Sequence, residues 1–497
     1  MTMNTREYYL EIAKKLKLHT DPFINGQFVK GSGPAFNTIN PATQEVIATL
    51  SSNTAEEVYE AERIARAAFE DGRWSKKSPA ERKEILIRFG ELMMENREEL
   101  AVIETLDSGK PIYDNYNGDV VESAETFKYH AEAIDKLQDA ITPGDGKHVS
   151  MVVREPLGVV AAIVPWNFPM QMAAWKIAPI LAAGNSIIIK PASLTPLSIL
   201  KLAELSKEAG IPDGVLNVVL GSGRVVGGAL AEHPRIEGLT FTGSTAVGKR
   251  LLVQSGQTNA KRIFLEMGGK NPCIVMPDVK DLDHAAAEAV NAVFWNMGEN
   301  CTSNSRLLVH KSIKDEFVKL IVEKTEALRT GDPFDPENNL GALVEIPHMN
   351  KVLNYIEIAK KEGGRLLTGG GRILEETGGN FVAPTVFDGI TPDMTIAREE
   401  IFGPVLGIME FETEEEAIRI ANDTEYGLQA SLFTDDLSTA HRMSRTLQAG
   451  TVSVNCYAEG DIGTPFGGFK QSGFMSRDNS VWANQQFTEL KTIWIKL

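Results

Sequence analysis

The sequence predicts an α/β fold in which a parallel, nucleotide-binding sheet is followed by a second α/β unit. Three observations carry this. From Gly158 onward, short β-rich runs alternate with helical patterns, the signature of strands joined by crossover helices. The chain has 497 residues, more than the ~250–300 at which a single hydrophobic core stops growing. Small-residue loops also follow strands directly and lead into helices, where free N–H groups can meet a phosphate.

In chain order, Thr54 to Phe69 and Ala80 to Leu106 place apolar residues at helical spacing among Glu, Arg and Lys, which predicts surface helices. The runs Val159–Val164, Ser186–Ile189, Leu216–Leu220, Leu239–Phe241 and Cys273–Met276 read as strands, with Pro196–Ala209 and Arg224–Glu232 as crossover helices in a cofactor unit near 158–265. A second unit has helical Ala285–Trp295 and Ile313–Leu328 with strand-like Ser305–Val309, Val405–Glu410 and Thr451–Val454. Gly363–Gly371 and Gly378–Gly379 read as turns. The alternation in Thr488–Ile495 suits a strand added to a neighbour's sheet. No repeat or low-complexity linker divides the chain.

The formal balance of 50 − 67 gives −17, which repels a phosphodiester backbone at long range, so nucleic acid is not an expected partner. Charges interrupt Met1 to Leu18, and the most apolar run, Leu157 to Val164, ends at Pro165. It is too short for a span of ~20 residues, so neither export nor membrane insertion is expected. Cys273, Cys301 and Cys456 are too few and scattered for a disulfide framework or a four-ligand metal site, which suits a reducing cytoplasm.

Gly221-Ser-Gly223-Arg-Val-Val-Gly227 follows a strand but is one residue longer than the dinucleotide fingerprint. Phe241-Thr-Gly-Ser-Thr-Ala-Val-Gly248 also follows a strand and could approach a pyrophosphate. Phe294 to Arg306 sets Cys301 in a polar turn between helix and strand, beside Asn300, Thr302 and Ser303, where a buried inert thiol is the alternative reading. Glu266 ends a strand before two glycines and is either a surface carboxylate or a general base. Asn167, between Pro165 and Pro169, could form half an oxyanion hole or merely a turn.

Taken together, PWNFP at 165–169, KPAS at 190–193, FTGS at 241–244, LEMGGK at 265–270, GENC at 298–301, EEIFGPV at 399–405 and PFGGFKQSG at 465–473 make the chain resemble the aldehyde dehydrogenase superfamily from about Phe23 onward. The resemblance implies Cys301 as nucleophile, its N–H and the Asn167 side chain as oxyanion donors, and Glu266 as the base for deacylation, with no metal. It implies Lys190 and Ser193 at the adenosine ribose, Gly223 at the adenine side, Trp166 and Ser244 near the pyrophosphate, and Glu400 and Phe402 at the nicotinamide. It also implies a Rossmann-like cofactor domain from 1–131 and 152–266, an α/β catalytic domain at 267–476, and a small β oligomerisation element from 132–151 and 477–497, in a homodimer or homotetramer.

Two departures narrow the expectation. Many NAD-preferring relatives have Glu where this chain has Ser193, so NADP should be accepted and could be preferred, with Lys190 meeting the extra charge. Glu459-Gly-Asp461 and the ending from Phe487 resemble the gamma-glutamyl-gamma-aminobutyraldehyde dehydrogenase branch. That layout implies Glu122, Gln171, Met172, Trp175, Trp295, Asn300, Thr302, Glu459 and Asp461 around the substrate tunnel, and an ω-aminoaldehyde or its gamma-glutamyl amide as substrate. Alternatives are a coenzyme A-acylating or reductive enzyme on the same scaffold, which would not need Glu266, and a non-catalytic binding protein, which would be expected to lose Cys301 or Glu266.

Overall fold

Helix Ala55–Glu70 begins where the Thr54 hydroxyl accepts from Glu57 N and the Glu57 carboxylate reaches back to Thr54 N; Ser78 and Glu81 open Pro79–Glu95 in the same way, satisfying N–H groups that a helix start leaves free. The computed structural model describes residues 3–497. Met1 and Thr2, at the start of the segment read for an export signal, lie outside them.

The long helix expected over Ala80–Leu106 is two helices. Asn96 departs from helical geometry and its side-chain amide donates to Leu92 O, so a new helix, Arg97–Ser108, starts and ends on Gly109 at φ 77°. Nor is that second helix a surface one. Leu100 to Thr105 are buried, with Leu100 to Ile103 in the hydrophobic core, and on the same helix Glu104 accepts from Met170 N at 3.0 Å and Asp107 from Leu197 N at 2.9 Å. Two carboxylates of one helix thus serve the N-terminal turns of two others, where helix dipoles favour negative charge.

The first sheet has eight strands in the order Gly473–Phe474, Arg262–Glu266, Gly238–Thr242, Val159–Ile163, Ser186–Lys190, Leu216–Val218, Phe23–Ile24, Gln27–Phe28. Its middle five are parallel. The second has seven, in the order Arg365–Thr368, Thr385–Asp388, Val405–Phe411, Arg306–His310, Pro272–Val275, Gln429–Phe433, Thr451–Val454, all parallel except the first pair. Central strands such as Ser186–Lys190 and Gln429–Phe433 are buried at every residue, as helices on both faces require. The expected Gly363–Gly371 turn therefore contains an edge strand, with glycines at positive φ on either side at Gly363 and Gly369. The expected helix Arg224–Glu232 opens as a wider π-turn, Gly223–Gly227, before Gly228–Glu232.

A third sheet joins Thr488–Lys496, His148–Pro156 and Ala140–Thr142, all antiparallel. The terminal strand pairs along its length with its own chain, and His148–Pro156 runs through the expected boundary at 151/152. Leu490, Trp494 and Ile141 remain exposed on it. Gly473–Phe474 pairs with Leu265 and Glu266, so the end of the second unit is stitched to the strand carrying the candidate base. Among the described residues no helix is long and apolar enough to cross a membrane.

Candidate active site

The site forms beyond the C-terminal ends of the parallel strands, where an open α/β sheet leaves a crevice. Strand Val159–Ile163 runs into the Pro165-Trp-Asn167 turn, Gly238–Thr242 into Gly243-Ser244, and Arg262–Glu266 into the Gly268-Gly269 pair. From the second unit comes the loop between helix Leu282–Phe294 and strand Arg306–His310, which carries Cys301. A cavity of about 270 Å³ between them is lined by Trp166, Asn167, Gln171, Met172, Trp175, Ser244, Glu266, Asn300, Cys301, Glu400, Phe402 and Glu459. It brings together all three residues expected to be catalytic.

The cysteine loop is held by backbone geometry that few sequences adopt. Asn296, Met297 and Gly298 take φ of 51°, 56° and 69° in succession; a Cβ on Gly298 would sit 2.3 Å from Gly403 O, so only glycine fits there. The Asn296 amide donates to Asn167 O and Glu299 O at 3.0 and 3.1 Å, and Asn167 Nδ2 donates to Glu299 O at 2.9 Å. The prolyl turn and the cysteine loop are thereby locked together. One N–H of Asn167 is committed to this lock, leaving its second for a ligand.

The LEMGGK glycines have the same logic. A Cβ on Gly268 would strike the Glu400 carboxylate at 2.3 Å, and one on Gly269 would strike Cys301 O at 2.5 Å. Gly269 N donates to Glu400 Oε1 at 2.9 Å. Asn271 Nδ2 completes the hold on the Cys301 loop, donating to Cys301 O at 2.8 Å and Ser303 O at 3.0 Å.

Glu266 is 2% exposed and neither carboxyl oxygen has a hydrogen-bond partner, although the equally unpartnered Ser476 hydroxyl is nearby. Burial, and then the negative charge of Asp478, push its proton affinity well above the usual carboxylate range. The half-buried Cys301 thiol is likewise pushed up, first by desolvation and then by Glu459, Glu400 and Glu266. The sequence reading missed Asp478 and its ion-pair partner Lys176, both buried. The available signal was a lone Lys in the apolar helix Pro169–Ala182. His348, Lys351 and Phe466 also line the cavity unannounced; His348 and Lys351 share one face of helix Ile346–Lys361 at i, i+3, and His348 Nε2 pairs with Phe402 O at 2.7 Å.

Lys190, Ser193 and Gly223 do not line this cavity; they gather at the ends of neighbouring strands. Ser193 Oγ donates to Gly221 O at 3.0 Å, and buried Lys190 donates to Pro191 O at 2.8 Å. A Cβ built on Gly223 meets nothing within 4 Å. Ser244 caps the 13-residue helix Thr245–Gln257 without a side-chain hydrogen bond, and the Thr242 hydroxyl is buried without a partner.

An outer cavity of about 550 Å³ is lined by Glu122, Trp175, Trp295, Glu459 and Asp461. Trp175 and Glu459 also line the inner cavity, so the two adjoin across these side chains. Thr302 is a correction: it is fully buried behind the wall and lines neither cavity. Its hydroxyl bonds Tyr457 at 2.7 Å and the Glu459 carboxylate, so it orients a lining residue. The Glu122 carboxyl, crowded by protein on its inner side and faced by Asp119 and Glu459, is pushed up to about 7, while its outer edge stays open. Gln171 Nε2 donates to it. Asp461 turns its own loop, accepting from Gly463 N at 2.8 Å.

The aldehyde dehydrogenase family model matches residues 28–493. The aminoacetaldehyde dehydrogenase of Pseudomonas aeruginosa is 50% identical over 492 residues, spanning 99% of this chain and 98% of that protein. The NADP/NAD-dependent aldehyde dehydrogenase PuuC of Escherichia coli is 44% identical over 498 residues, spanning 100% of each. The crystal structure of gamma-glutamyl-gamma-aminobutyraldehyde dehydrogenase from Burkholderia cenocepacia superposes with a TM-score of 0.97 at 48% identity, covering 99% of this chain and 100% of that one. With Cys301, Glu266 and Asn167 on one cavity and nearly its whole length matched, the chain belongs to the aldehyde dehydrogenase family.

Proposed function

We propose that the protein oxidises an aldehyde to its carboxylic acid, with Cys301 carrying the acyl group and NAD or NADP accepting the hydride. The observation that carries this is the opening of the Cys301 thiol, the Glu266 carboxyl and the Asn167 amide onto one cavity. The open space at Gly223, the uncapped start of helix Thr245–Gln257 and the unpartnered Thr242 hydroxyl suit a dinucleotide. Lys190 and Ser193 would hold its ribose, Trp166 and Ser244 its pyrophosphate, and Glu400 and Phe402 its nicotinamide end. When bound, it takes the hydride from the substrate carbon.

The chain's own groups do the rest. Cys301 gives up its proton to solvent water, its sulfur bonds the carbonyl carbon as the C=O π bond opens onto oxygen, and that oxygen turns toward Cys301 N–H and the free N–H of Asn167. Preorganised donors of this kind are worth ~10²–10³ in rate each. After oxidation the acyl group remains on sulfur as a thioester. Glu266 then takes a proton from water, the hydroxide oxygen bonds the acyl carbon, the C–S bond breaks, and Cys301 is regenerated with release of the acid.

Ser193 sets no carboxylate against a 2′-phosphate, and burial brings Lys190 to about 8, so it still carries charge near neutrality; both favour acceptance of NADP. The carboxylates of Glu122, Glu459 and Asp461 around the outer cavity favour an aldehyde with a cationic tail, an ω-aminoaldehyde or its gamma-glutamyl amide. The names of the P. aeruginosa, E. coli and B. cenocepacia relatives support the same class. The exposed Ile141, Leu490 and Trp494 support assembly as a homodimer or homotetramer.

Cys301→Ala tests the reading. It should bind dinucleotide as the parent does yet form no acid, because the acyl group has no other attachment point. Undiminished turnover in that variant, or a thioester released to coenzyme A in place of the acid by the parent enzyme, would overturn it.

A further inference from the structure

Three cavities adjoin one another through shared walls, and the first holds the Cys301 thiol. The inner one shares Trp175 and Glu459 with the outer one. The outer one shares Asp114, Asn291 and Trp295 with a third of about 290 Å³, which also has Tyr113 and Asn339 in its walls. The third cavity has no contact with the reacting groups, and the mechanism above makes no use of it.

We infer that this third cavity is a distal substrate subsite, which receives the far end of an aldehyde extended through an amide bond into an α-amino acid group. This rests on the dehydrogenase reading and adds to it where a long substrate ends. A short aminoaldehyde places its ammonium among Glu122 and Glu459 and stops there. A chain that crosses the outer cavity carries its polar end on, past Trp295, into a chamber with different chemistry.

The walls match both charges of an amino acid group. Asn291 is exposed on helix Leu282–Phe294, and Asn339 uses only its amide oxygen, accepting from Arg329 N at 3.0 Å. Amide N–H groups are therefore free to donate to a carboxylate. The Asp114 carboxyl has no hydrogen bond from the chain, only the nearby charge of Lys110 to balance that of Asp119, and can accept from an ammonium. The half-exposed Tyr113 ring and the indole of Trp295 offer flat faces to an amide plane. A purely aliphatic tail would use neither set.

The test compares 4-aminobutyraldehyde with its N-γ-glutamyl amide on the full-length enzyme. Tyr113→Ala combined with Asn339→Ala, both in the walls of the third cavity and not of the outer one, should raise KM for the glutamyl substrate about five- to tenfold, as loss of a hydrogen bond and a ring contact implies. Both kcat and KM for the short aldehyde should stay near the parent values, and this also reports that the variant is folded. Equal effects on both substrates, or none on either, would overturn the subsite while leaving the dehydrogenase standing. If the double variant does not fold, Asn339→Asp decides, because the position is exposed and Oδ1 still accepts from Arg329 N. A carboxylate there should raise KM for the glutamyl substrate alone, and indifference would overturn the inference. A parent enzyme that oxidises neither aldehyde would refute the dehydrogenase reading itself.

Discussion

Replacing Glu266 by Gln should isolate the second half of the proposed reaction. The side chain is 2% exposed and neither oxygen is hydrogen-bonded, so the near-isosteric amide breaks no existing hydrogen bond and strands no cation. What it removes is the group proposed to take a proton from water. A positioned general base contributes ~10²–10⁴-fold, or about 3–5 kcal/mol of barrier at 1.36 kcal/mol per decade. Cys301, Asn167 and the loop contacts among Asn296, Glu299 and Asn271 are untouched, so thioester formation should proceed. Rapid mixing with aldehyde and dinucleotide, followed by nicotinamide absorbance, should show one equivalent of reduced cofactor per Cys301. Turnover should then fall by that factor, with the acyl group still on Cys301 by mass spectrometry. Steady turnover close to the parent rate would refute Glu266 as the base. Loss of the burst together with turnover would place it before hydride transfer.

Three further outcomes follow from the site. In the proposed mechanism Glu266 and Cys301 both act deprotonated, and desolvation with neighbouring carboxylates raises both, so the rate should go on climbing as pH rises past the ordinary carboxylate range toward the alkaline side; a flat profile of rate against pH would contradict this. Ser193→Glu should impair NADP use far more than NAD use, because it sets a charge near Lys190 and the Gly221 turn against a 2′-phosphate, and equal losses in steady-state kinetics would remove Ser193 from the ribose site. Glu122→Gln should raise KM for an aminoaldehyde at low salt but leave an aliphatic aldehyde of equal length unaffected. The parent KM for the amine should fall as pH rises through about 7, where Glu122 ionises, and a KM indifferent to both changes would rule out ammonium binding there.

The elements with strong local signals were legible in the sequence. The parallel strands, their crossover helices and the loops that end them were readable because hydrophobic period, capping residues and glycine placement act within a few residues of chain. The motifs also named Cys301, Glu266 and Asn167, which the fold gathers around one cavity. The break at Asn96 was not legible, because a single amide bonding Leu92 O competes with a helical pattern that continues on both sides. Burial of Glu104 and Asp107 could not be read either, since their charge looks like a solvated face until two other helices present their N-termini.

Only the tertiary structure decided which charges stand together. Lys176 and Asp478 lie 302 residues apart and form a buried pair beside Glu266; Thr302 turned from a tunnel residue into the support of Glu459; and His348 entered the site by bonding Phe402 O. A side chain's type and spacing set the chemistry it can do. Its protonation, its partner and whether it faces a cavity depend on low-dielectric surroundings that distant segments build only when the sheets close on one another.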